Sequence, residues 1–425
     1  MTSSEHRKAK PITNFNRTDM SVPASVARDR YEQMLQECPI AHSDRYRGFD
    51  YISRYDDVRT VLHDSAAFTT TDGVFIPDSG LPKIPALEDD PPEHTAMRAL
   101  MNGPLNPRAV GAFEPTIAQI ADVLIDNFAD RGTADLAPEF CALLPAIVIG
   151  RMIGLNHDEA VEVQDLAISM FNSIGTDTFD MHWSHFSAFT DRQLQMRRDA
   201  PRDDHLTALA RGDSNRTAVD AKLATEIITA YLLGGHHSTA TGIAGALRYI
   251  LADPALTAVV AQDDRVMARA TEESLRLTTP LQLFARTVRG EACLSGVQFG
   301  DGDRLMVNLA AANRDEKQFP DPERFVLDRP RNAHVAFGGG LHHCIGQHLA
   351  RAEMRIAVRS LLRRLPGIRL AGDVGEAGLT GGKLMAITSV PVEFTPSNRV
   401  IVGMTACSSL EATADDLKAG PLPPT

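Results

Sequence analysis

Residues 337–346 have the sequence FGGGLHHCIG, which places a single cysteine, Cys344, between a glycine-rich turn and a helix-like run. Glycine lacks a side chain, so Gly338–Gly340 and Gly346 would let the loop backbone pass close to a flat bound group. A following helix N-terminus and backbone N–H groups aimed at the sulfur favour the thiolate form of a cysteine. The stretch therefore predicts a loop that presents Cys344 as a thiolate ligand.

The same stretch fills every fixed position of the pattern Phe-x-x-Gly-x-x-x-Cys-x-Gly, and through it the chain resembles the cytochrome P-450 family. The sequences of residues 75–94 and 344–354 resemble those of the camphor hydroxylase group among the soluble bacterial members. The resemblance implies heme b (iron protoporphyrin IX) as cofactor, Cys344 as axial ligand of the iron, and Phe337 and Gly346 as cofactor contacts. A thiolate ligand pushes electron density onto iron and favours cleavage of the O–O bond.

Two other interpretations start from the same residues. One is a buried, inert cysteine behind a glycine-rich turn. The other is a zinc site built from His342, His343 and Cys344. Adjacent ligands on one short loop suit tetrahedral zinc poorly unless a second cluster lies elsewhere, and the sequence contains no Cys-x-x-Cys pair.

Composition narrows the class of protein. The chain has 425 residues, 43% of them hydrophobic, and a formal net charge of −12. The apolar content supports a large core, and the negative charge argues against nucleic acid as a partner. No apolar run approaches a membrane span and no signal-peptide core is present, so the sequence predicts a cytoplasmic protein without a membrane anchor. Five scattered cysteines predict reduced thiols.

Hydrophobic periodicity predicts a mainly α protein with small β-sheets, an α+β class. Apolar residues recur at three and four through much of 115–251, and Thr257–Leu277 predicts one further helix. Short strands are predicted around Ala285–Val288, Arg304–Leu309 and 386–394, and a long loop over 69–92. The resemblance implies the cytochrome P-450 fold, a triangular helical prism around a buried heme.

The predicted organisation is a single heme domain with two flanking segments. Residues 1–28 are expected to form a flexible lead-in, 29–398 the heme domain, and 399–425, which end in Pro-Leu-Pro-Pro-Thr, a mobile tail.

Two charged constellations match motifs of the family. Glu273 and Arg276 lie three residues apart on one helix face, and the resemblance pairs them with a downstream arginine, here predicted as Arg324, in a structural triad. His94 and Arg98 lie four residues apart, and the resemblance implies that they bind the heme propionates together with Arg286 and His342. Cation–carboxylate pairing is the physical reason, and solvated surface charge is the alternative interpretation.

Residues 231–247, YLLGGHHSTATGIAGAL, resemble the family's oxygen-binding helix. Gly234 and Gly235 would let the helix bulge and open a groove for dioxygen. The position usually held by an acid is His237, and the usual threonine is Ser238. A hydroxyl can still hydrogen-bond and a histidine can relay protons near neutral pH. We predict that both act in oxygen activation; the alternative is that His237 only joins a salt bridge or water network.

The predicted substrate pocket combines apolar walls with one polar group, Gln282, that would orient a substrate oxygen. Its residues come from the 69–88 loop, the oxygen helix, the stretch after the Glu-x-x-Arg helix and the last hairpin, and each could equally belong to the core: Phe75, Ile76, Ala230, Leu233, Leu281, Gln282, Leu283, Phe284, Leu384 and Met385.

The predicted function is a heme-thiolate monooxygenase that inserts one atom of O2 into a small hydrophobic substrate. The resemblance implies electrons from a ferredoxin or flavodoxin with its reductase, docked where arginines follow Cys344 along 346–365; a solvated charged face is the alternative. His237 and Ser238 leave open a peroxygenase or a non-hydroxylating heme-thiolate enzyme. A heme protein that senses a gas without catalysis is a further alternative.

Overall fold

The computed structural model describes residues 23–78, 80–173, 176–212, 218–380 and 383–400. Within these ranges helices form most of the structure, and their bounds are α1 Ala24–Glu37, α2 Tyr55–His63, α3 Glu93–Leu105, α4 Pro107–Asp126, α5 Leu143–Ile153, α6 His157–Asn172, α7 Phe179–Asp199, α8 His205–Arg211, α9 Ala221–Gly235, α10 His237–Leu251, α11 Pro254–Val260, α12 Asp264–Thr278, α13 Leu309–Ala312 and α14 Gln347–Arg364.

The strands are short and lie at the edges of this helical body. Their bounds are β1 Ile40–Ser43, β2 Phe49–Ile52, β3 Phe68–Thr69, β4 Thr133–Asp135, β5 Leu283–Val288, β6 Ala292–Leu294, β7 Val297–Phe299, β8 Arg304–Asn308, β9 Arg369–Leu370, β10 Gly375–Thr380, β11 Leu384–Ser389 and β12 Pro391–Glu393. The predicted α+β class is confirmed.

One sheet positions the region that precedes the cysteine loop. Its order is β1-β2-β8-β5-β3, and every neighbouring pair is antiparallel except β2 with β8. In β5, Phe284 lies opposite Val307 and Arg286 lies opposite Leu305. Because side chains alternate along a strand, Gln282, Phe284 and Arg286 project from the same face of β5.

The main core lies between the helices. Residues of α4, α5, α9, α10 and α14 form one continuous buried cluster, and a smaller cluster joins α1 to the five-stranded sheet and to the β10–β11 hairpin. Helix α14 packs along α4 and α10 directly behind Cys344. The cysteine loop is therefore anchored to the best-packed part of the molecule.

Two boundaries differ from the sequence-based prediction. The segment Thr257–Leu277 was expected to be one helix, but α11 ends at Val260 and α12 begins at Asp264. Asp263 accepts hydrogen bonds from the N–H groups of Arg265 and Val266, at 2.7 and 3.3 Å. An aspartate that caps a helix start in this way fixes a new N-terminus.

The predicted flanking segments are only partly covered by the structure. Helix α1 begins at Ala24, inside the predicted lead-in, and Ala24 and Ala27 are buried. Residues 24–28, the part of the predicted lead-in that overlaps α1, are therefore helical and packed on the core through Ala24 and Ala27. Residues 1–22 and 401–425 lie outside the described residues, so the rest of the lead-in and the tail remain predictions.

A membrane span requires a helix of sufficient length and hydrophobicity. Across the described ranges, no single helix is both long and apolar enough to cross a membrane. Two pairs, each bent by 117°, reach that length and composition only when taken together: Ala137–Ile153 with Asp158–Met170, and Ala221–Leu251 with Pro254–Val260.

Candidate active site

The loop before α14 surrounds the Cys344 sulfur with hydrogen-bond donors. The Cys344 N–H donates to the Phe337 carbonyl at 2.9 Å, which closes the loop. Burial raises the pKa of the Cys344 thiol, whereas the backbone N–H groups of Gly346 and Gln347 and the charges of two arginines lower it. A bound metal cation deprotonates a coordinating thiol outright. The loop is therefore built to accept a thiolate once a metal supplies the compensating charge.

Two glycines of this loop, Gly339 and Gly340, pack tightly against helix α2. Gly340 has φ +60°, and a Cβ at that position would lie 2.1 Å from the Leu62 carbonyl oxygen. A Cβ at Gly339 would lie 2.8 Å from the His63 ring. At Gly346 the nearest atom would be the Cys344 sulfur at 4.0 Å. The close packing of α2 is therefore a reason of its own for glycine at positions 339 and 340, and the contact of this loop with a flat bound group stays a prediction.

The two histidines beside Cys344 are directed to different partners. His342 places Nδ1 3.2 Å from the Ala86 carbonyl and Nε2 3.4 Å from the Thr70 hydroxyl. His343 places Nδ1 2.8 Å from the Gln347 amide nitrogen. Among the described residues, no group of three or more His, Cys, Asp or Glu side chains could hold a metal ion. This geometry gives no support to the zinc interpretation.

A buried group of basic side chains lies next to the loop. Arg286 is 4% exposed, and its one side-chain hydrogen bond within the described ranges runs to the neighbouring Ala285 carbonyl at 2.8 Å. Burial lowers the pKa of Arg286 to about 10. The nearby carboxylate, Asp90, is already paired with Arg289 at 2.6 Å and accepts the Thr69 hydroxyl. A buried guanidinium with so few partners indicates a site for an anion.

Two histidines complete this basic group. The His94 ring is buried and lies edge-on to His342 with centroids 4.7 Å apart. Apart from a loose approach of the Leu341 backbone, neither ring nitrogen of His94 has a hydrogen-bond partner in the described structure. Burial, together with the charge of Arg286, lowers the pKa of His342 to about 4. Both rings are therefore neutral, but only His94 lacks an acceptor for its N–H among the described residues, because His342 donates from Nδ1 to the Ala86 carbonyl.

The donor set fits a heme whose propionates enter this group. Arg98, half-buried on the same helix as His94, also has its pKa lowered by burial, and it lies close enough to Cys344 for the two charges to interact. The structure thus brings together His94, Arg98, Arg286, His342 and Cys344, and their binding of a heme stays a prediction. Carboxylates are the acceptors that unpaired guanidinium and imidazole donors require.

The predicted oxygen helix is broken at the expected place. Helix α9 ends at Gly235, α10 begins at His237, and His236 between them has φ −95° and ψ −82°. The Ser238 hydroxyl donates to the Gly234 carbonyl at 2.9 Å, which caps a carbonyl that the break leaves open. A Cβ on Gly234 would meet nothing within 4 Å, whereas one on Gly235 would lie 3.1 Å from Ile149. Gly234 therefore borders open space, and Gly235 permits packing on α5.

The adjacent histidines of this break have different environments. His236 is buried, with Nε2 3.0 Å from the Ala142 carbonyl and Nδ1 3.1 Å from the Gln164 amide nitrogen. Nε2 must carry the proton, and burial lowers the pKa of His236 to about 3. Burial also lowers the pKa of His237, and no hydrogen bond of its ring is recorded in the described ranges. His237 is therefore the neutral imidazole that can exchange a proton.

Glu273 and Arg276 form a fully buried ion pair at the end of α12. Arg276 donates to both carboxylate oxygens of Glu273, at 2.8 and 2.9 Å. The third member is Arg329, whose Nη2 lies 3.2 Å from Glu273 Oε1. The prediction of Arg324 is wrong, because its side chain is 76% exposed beside Asp321 and only its carbonyl accepts from Arg276. The sequence offered Arg329 in DRPRN, five residues later.

Of the predicted pocket residues, five are partly exposed and five are buried. Those with partial exposure are Phe75, Ala230, Leu233, Leu281 and Phe284. Those that are buried are Ile76, Gln282, Leu283, Leu384 and Met385. Ile76, Leu283 and Met385 belong to the cluster beneath α1, so they contribute to the core. Gln282 keeps its Oε1 buried without a hydrogen-bond partner among the described residues.

Aromatic rings join the 69–92 loop to the sheet and the last hairpin. Phe75 stacks on Phe284 with centroids 6.3 Å apart, and the Lys383 ammonium lies 3.2 Å from the Phe75 centroid. Arg304 donates to the carbonyls of Asp72 and Gly73, at 2.8 and 3.0 Å. These contacts fix Asp72, Gly73 and Phe75 against Arg304 and Phe284 of the sheet.

Comparison with known proteins agrees with this geometry. The sequence model of the cytochrome P450 family matches residues 167–366. A steroid C26-monooxygenase of Mycolicibacterium smegmatis is 30% identical over 383 residues, covering 88% of this chain and 94% of the relative. Nocardicin C N-oxygenase of Nocardia uniformis subsp. tsuyamanensis is 31% identical over 345 residues, covering 79% and 86%.

A solved structure shows the same fold. The cytochrome P450 of Mycobacterium marinum in complex with pseudoionone superposes with a TM-score of 0.81 at 25% identity, covering 91% of this chain and 100% of that one. Together with the sequence relatives, this match identifies heme as the cofactor and oxygen incorporation as the type of reaction. The chain belongs to the cytochrome P450 family of heme-thiolate monooxygenases.

Proposed function

We propose that this protein inserts one atom of O2 into a small hydrophobic organic substrate, with Cys344 as the axial ligand of heme iron. The observation that carries the site assignment is a pair of buried basic side chains: among the described residues Arg286 donates only to the Ala285 carbonyl, and both ring nitrogens of His94 lack a hydrogen-bond partner. Bound heme supplies the iron at which dioxygen is reduced and its O–O bond is cleaved. We place the reaction in the cytoplasm.

The chain's own side chains would hold the cofactor by charge and hydrogen bonding. Arg286 and Arg98 would pair with propionate carboxylates, and His94 would donate its ring N–H. His342 would donate to a propionate from Nε2, in the tautomer that gives up the hydrogen bond from Nδ1 to the Ala86 carbonyl. The backbone N–H groups of Gly346 and Gln347 would stabilise the Cys344 thiolate. Phe337 closes the loop through its carbonyl, so its role is to fix the position of the sulfur.

Proton delivery would use the break between α9 and α10. The Ser238 hydroxyl can rotate away from the Gly234 carbonyl and present its proton to the open space in front of Gly234. His237, neutral and adjacent, can accept a proton from water and pass it on. His236 takes no part because both its ring nitrogens are engaged with Ala142 and Gln164.

The substrate would contact the partly exposed apolar residues around this space. Phe75, Phe284 and Leu281 come from the sheet side, and Ala230 and Leu233 come from α9. These walls favour an apolar molecule with few polar groups. A steroid C26-monooxygenase and a nocardicin C N-oxygenase are similar to this chain, and because these two relatives do not point to one substrate class, terpenoid, aromatic, steroid and polyketide compounds are all candidates.

We propose a ferredoxin or flavodoxin with its reductase as the electron source. The arginine strip predicted on α14 is exposed but paired: Arg355 with Glu114 at 3.4 Å, Arg363 with Asp122 at 2.9 Å, and Arg359 with Asp264. A donor that docks here must compete with these carboxylates, so steering by the strip is weaker than its arginine content suggests.

The first test is the absorption spectrum of the dithionite-reduced, carbon monoxide-bound protein. A strongly red-shifted Soret band is expected, because thiolate ligation produces it, and Cys344→Ala should abolish the band. A Soret band at the position of histidine-ligated heme in the unmodified protein would contradict the assignment of Cys344.

The second test separates the monooxygenase from a peroxygenase, which His237 in place of an acid leaves open. Turnover is compared with a ferredoxin system and with hydrogen peroxide alone, using a compound selected by its spin-state shift. Faster turnover with the ferredoxin system is expected. Faster turnover with peroxide alone would favour the peroxygenase.

A further inference from the structure

Behind the cysteine loop, an ion pair that the mechanism above does not use links α12 to α14. Arg351 donates to both carboxylate oxygens of Glu272, from Nε at 2.7 Å and from Nη2 at 2.9 Å. The pair is partly buried, with Arg351 24% and Glu272 30% exposed. Its geometry is bidentate, which fixes the guanidinium plane as well as its position.

The guanidinium is fixed directly against the loop that carries the ligand. Its carbon lies 4.4 Å from the centroid of the Phe337 ring, and the Phe337 carbonyl accepts the Cys344 N–H at 2.9 Å. The third nitrogen, Nη1, donates to Gln347 Oε1 at 2.9 Å. Arg351 therefore contacts both ends of the loop, and its charge acts on the Cys344 sulfur.

The net charge of this group is zero. His334 receives the Ala336 N–H at Nδ1, at 3.2 Å, so Nδ1 is unprotonated and the ring is neutral. Nε2 then carries the hydrogen and donates to Glu272 at 3.1 Å. Burial opposes ionisation of Glu272, but His334 and Arg351 outweigh it and hold its pKa at about 2. One negative and one positive charge remain, Glu272 and Arg351.

We propose that Glu272 and Arg351 are positioning residues whose balanced charges set the electrostatic field at the Cys344 sulfur and so the reduction potential of the bound heme. The inference rests on the proposed role of Cys344 as the axial ligand. A positive charge near the iron stabilises an added electron and a negative charge opposes it. Removing either partner leaves the other uncompensated, so the two removals act with opposite signs.

The experiment measures the one-electron reduction potential of the substrate-free holoprotein by spectroelectrochemistry. Glu272→Gln should raise the potential, and Arg351→Gln should lower it. Each is expected to change the reduction equilibrium constant by up to about tenfold, or about 59 mV for one electron. The double variant Glu272→Gln/Arg351→Gln restores zero net charge and should return close to the unmodified value.

A matched control uses an exposed ion pair far from the loop. Glu162 pairs with Arg192 between α6 and α7, and both side chains are about half exposed, at 48% and 49%. Glu162→Gln removes the same charge and should leave the potential unchanged. The carbon monoxide spectrum of every sample reports thiolate ligation separately, so loss of the proposed function is distinguished from loss of the charge effect.

Two results would overturn the proposal. One is a shift of both single variants in the same direction, which indicates a purely structural pair. The other is a shift no larger than that of Glu162→Gln. If a single variant is isolated without heme, Glu272→Asp and Arg351→Lys replace it. Both keep their charge and should hold the unmodified potential, and a shift as large as tenfold in the equilibrium constant would contradict the proposal.

Discussion

Ser238 and His237, which we propose for proton delivery, stand where the usual family pattern has a threonine and an acid. The Ser238 hydroxyl donates to the Gly234 carbonyl at 2.9 Å, and the His237 ring lies at 38° to the His236 ring with centroids 4.2 Å apart. Burial lowers the pKa of His237, so the ring is neutral at neutral pH. A neutral imidazole can take up a proton and release it, which a buried, permanently charged group cannot do as readily.

Removing the Ser238 hydroxyl should uncouple electron consumption from product formation. Ser238→Ala removes the proton donor at the helix break, so the yield of product per electron pair should fall by on the order of tenfold or more. Released hydrogen peroxide should rise correspondingly. The measurement compares cofactor consumed, product and peroxide, with any compound that gives a spin-state shift. Ser238→Thr keeps a hydroxyl and is the control; equal coupling in the alanine and threonine variants would exclude Ser238 from the relay.

The helices and the segment after α12 show how far local patterns determine the elements around the site. Apolar spacing predicts the regions of α4, α5, α9 and α14, and the interruption at His236 follows from glycines at 234 and 235. Asp263 divides a predicted helix because a cap overrides periodicity. The choice between Arg324 and Arg329 depends on how the Pro-rich segment folds back on Glu273, and no local pattern fixes that.

Local sequence patterns also do not determine the packing of the glycine loop or the ion pair between Glu272 and Arg351 behind it. A sequence shows that Gly340 lacks a side chain, but it does not show that the Leu62 carbonyl, which is distant in the chain, lies against this position. Glu272 and Arg351 are separated by 79 positions, so their contact arises only when α12 and α14 pack. Contacts of this kind depend on tertiary structure, and periodicity carries no information about them.

The two arginines of the segment after α12 should differ sharply in their effect on stability. Arg329 is 5% exposed and contacts Glu273, so Arg329→Ala leaves part of a buried carboxylate uncompensated. The free energy of unfolding should fall by about 3–5 kcal/mol. Arg324→Ala removes a solvated side chain and should cost about 0–1 kcal/mol. Thermal unfolding of both holoproteins gives the comparison, and equal losses would show that Arg329 is not a member of the triad.

At the scale of the whole molecule, a three-residue ion network connects parts of the chain that are far apart in sequence. Arg28 of α1 donates to both oxygens of Glu376 in β10, at 3.0 and 2.9 Å, and Arg248 of α10 donates to Oε1. The network joins the first described helix to the helix that carries Ser238 and to the hairpin with Leu384 and Met385. It therefore ties α1 and the β10–β11 hairpin to α10.

Glu376 makes this connection sensitive to acid. Burial alone would raise its pKa, but the hydrogen bonds and charges of Arg28 and Arg248 outweigh burial and lower the pKa below 4.5. A carboxyl group whose pKa is lowered by folding contributes stability above its unfolded value, and that contribution is lost as pH falls through the folded value. The network should therefore stabilise the protein at neutral pH and weaken below about pH 4.5.

Glu376→Gln tests this dependence directly. Because the three side chains are up to 34% exposed, solvent screening reduces the effect, and the loss at pH 7 should be about 1–3 kcal/mol of unfolding free energy. The difference from the unmodified protein should stay constant down to about pH 5 and then narrow, since protonation removes the same charge. Glu393→Gln, at the exposed pair with Arg369, is the control and should have little effect. A difference that is independent of pH down to pH 3 would mean that Glu376 acts through packing instead of charge.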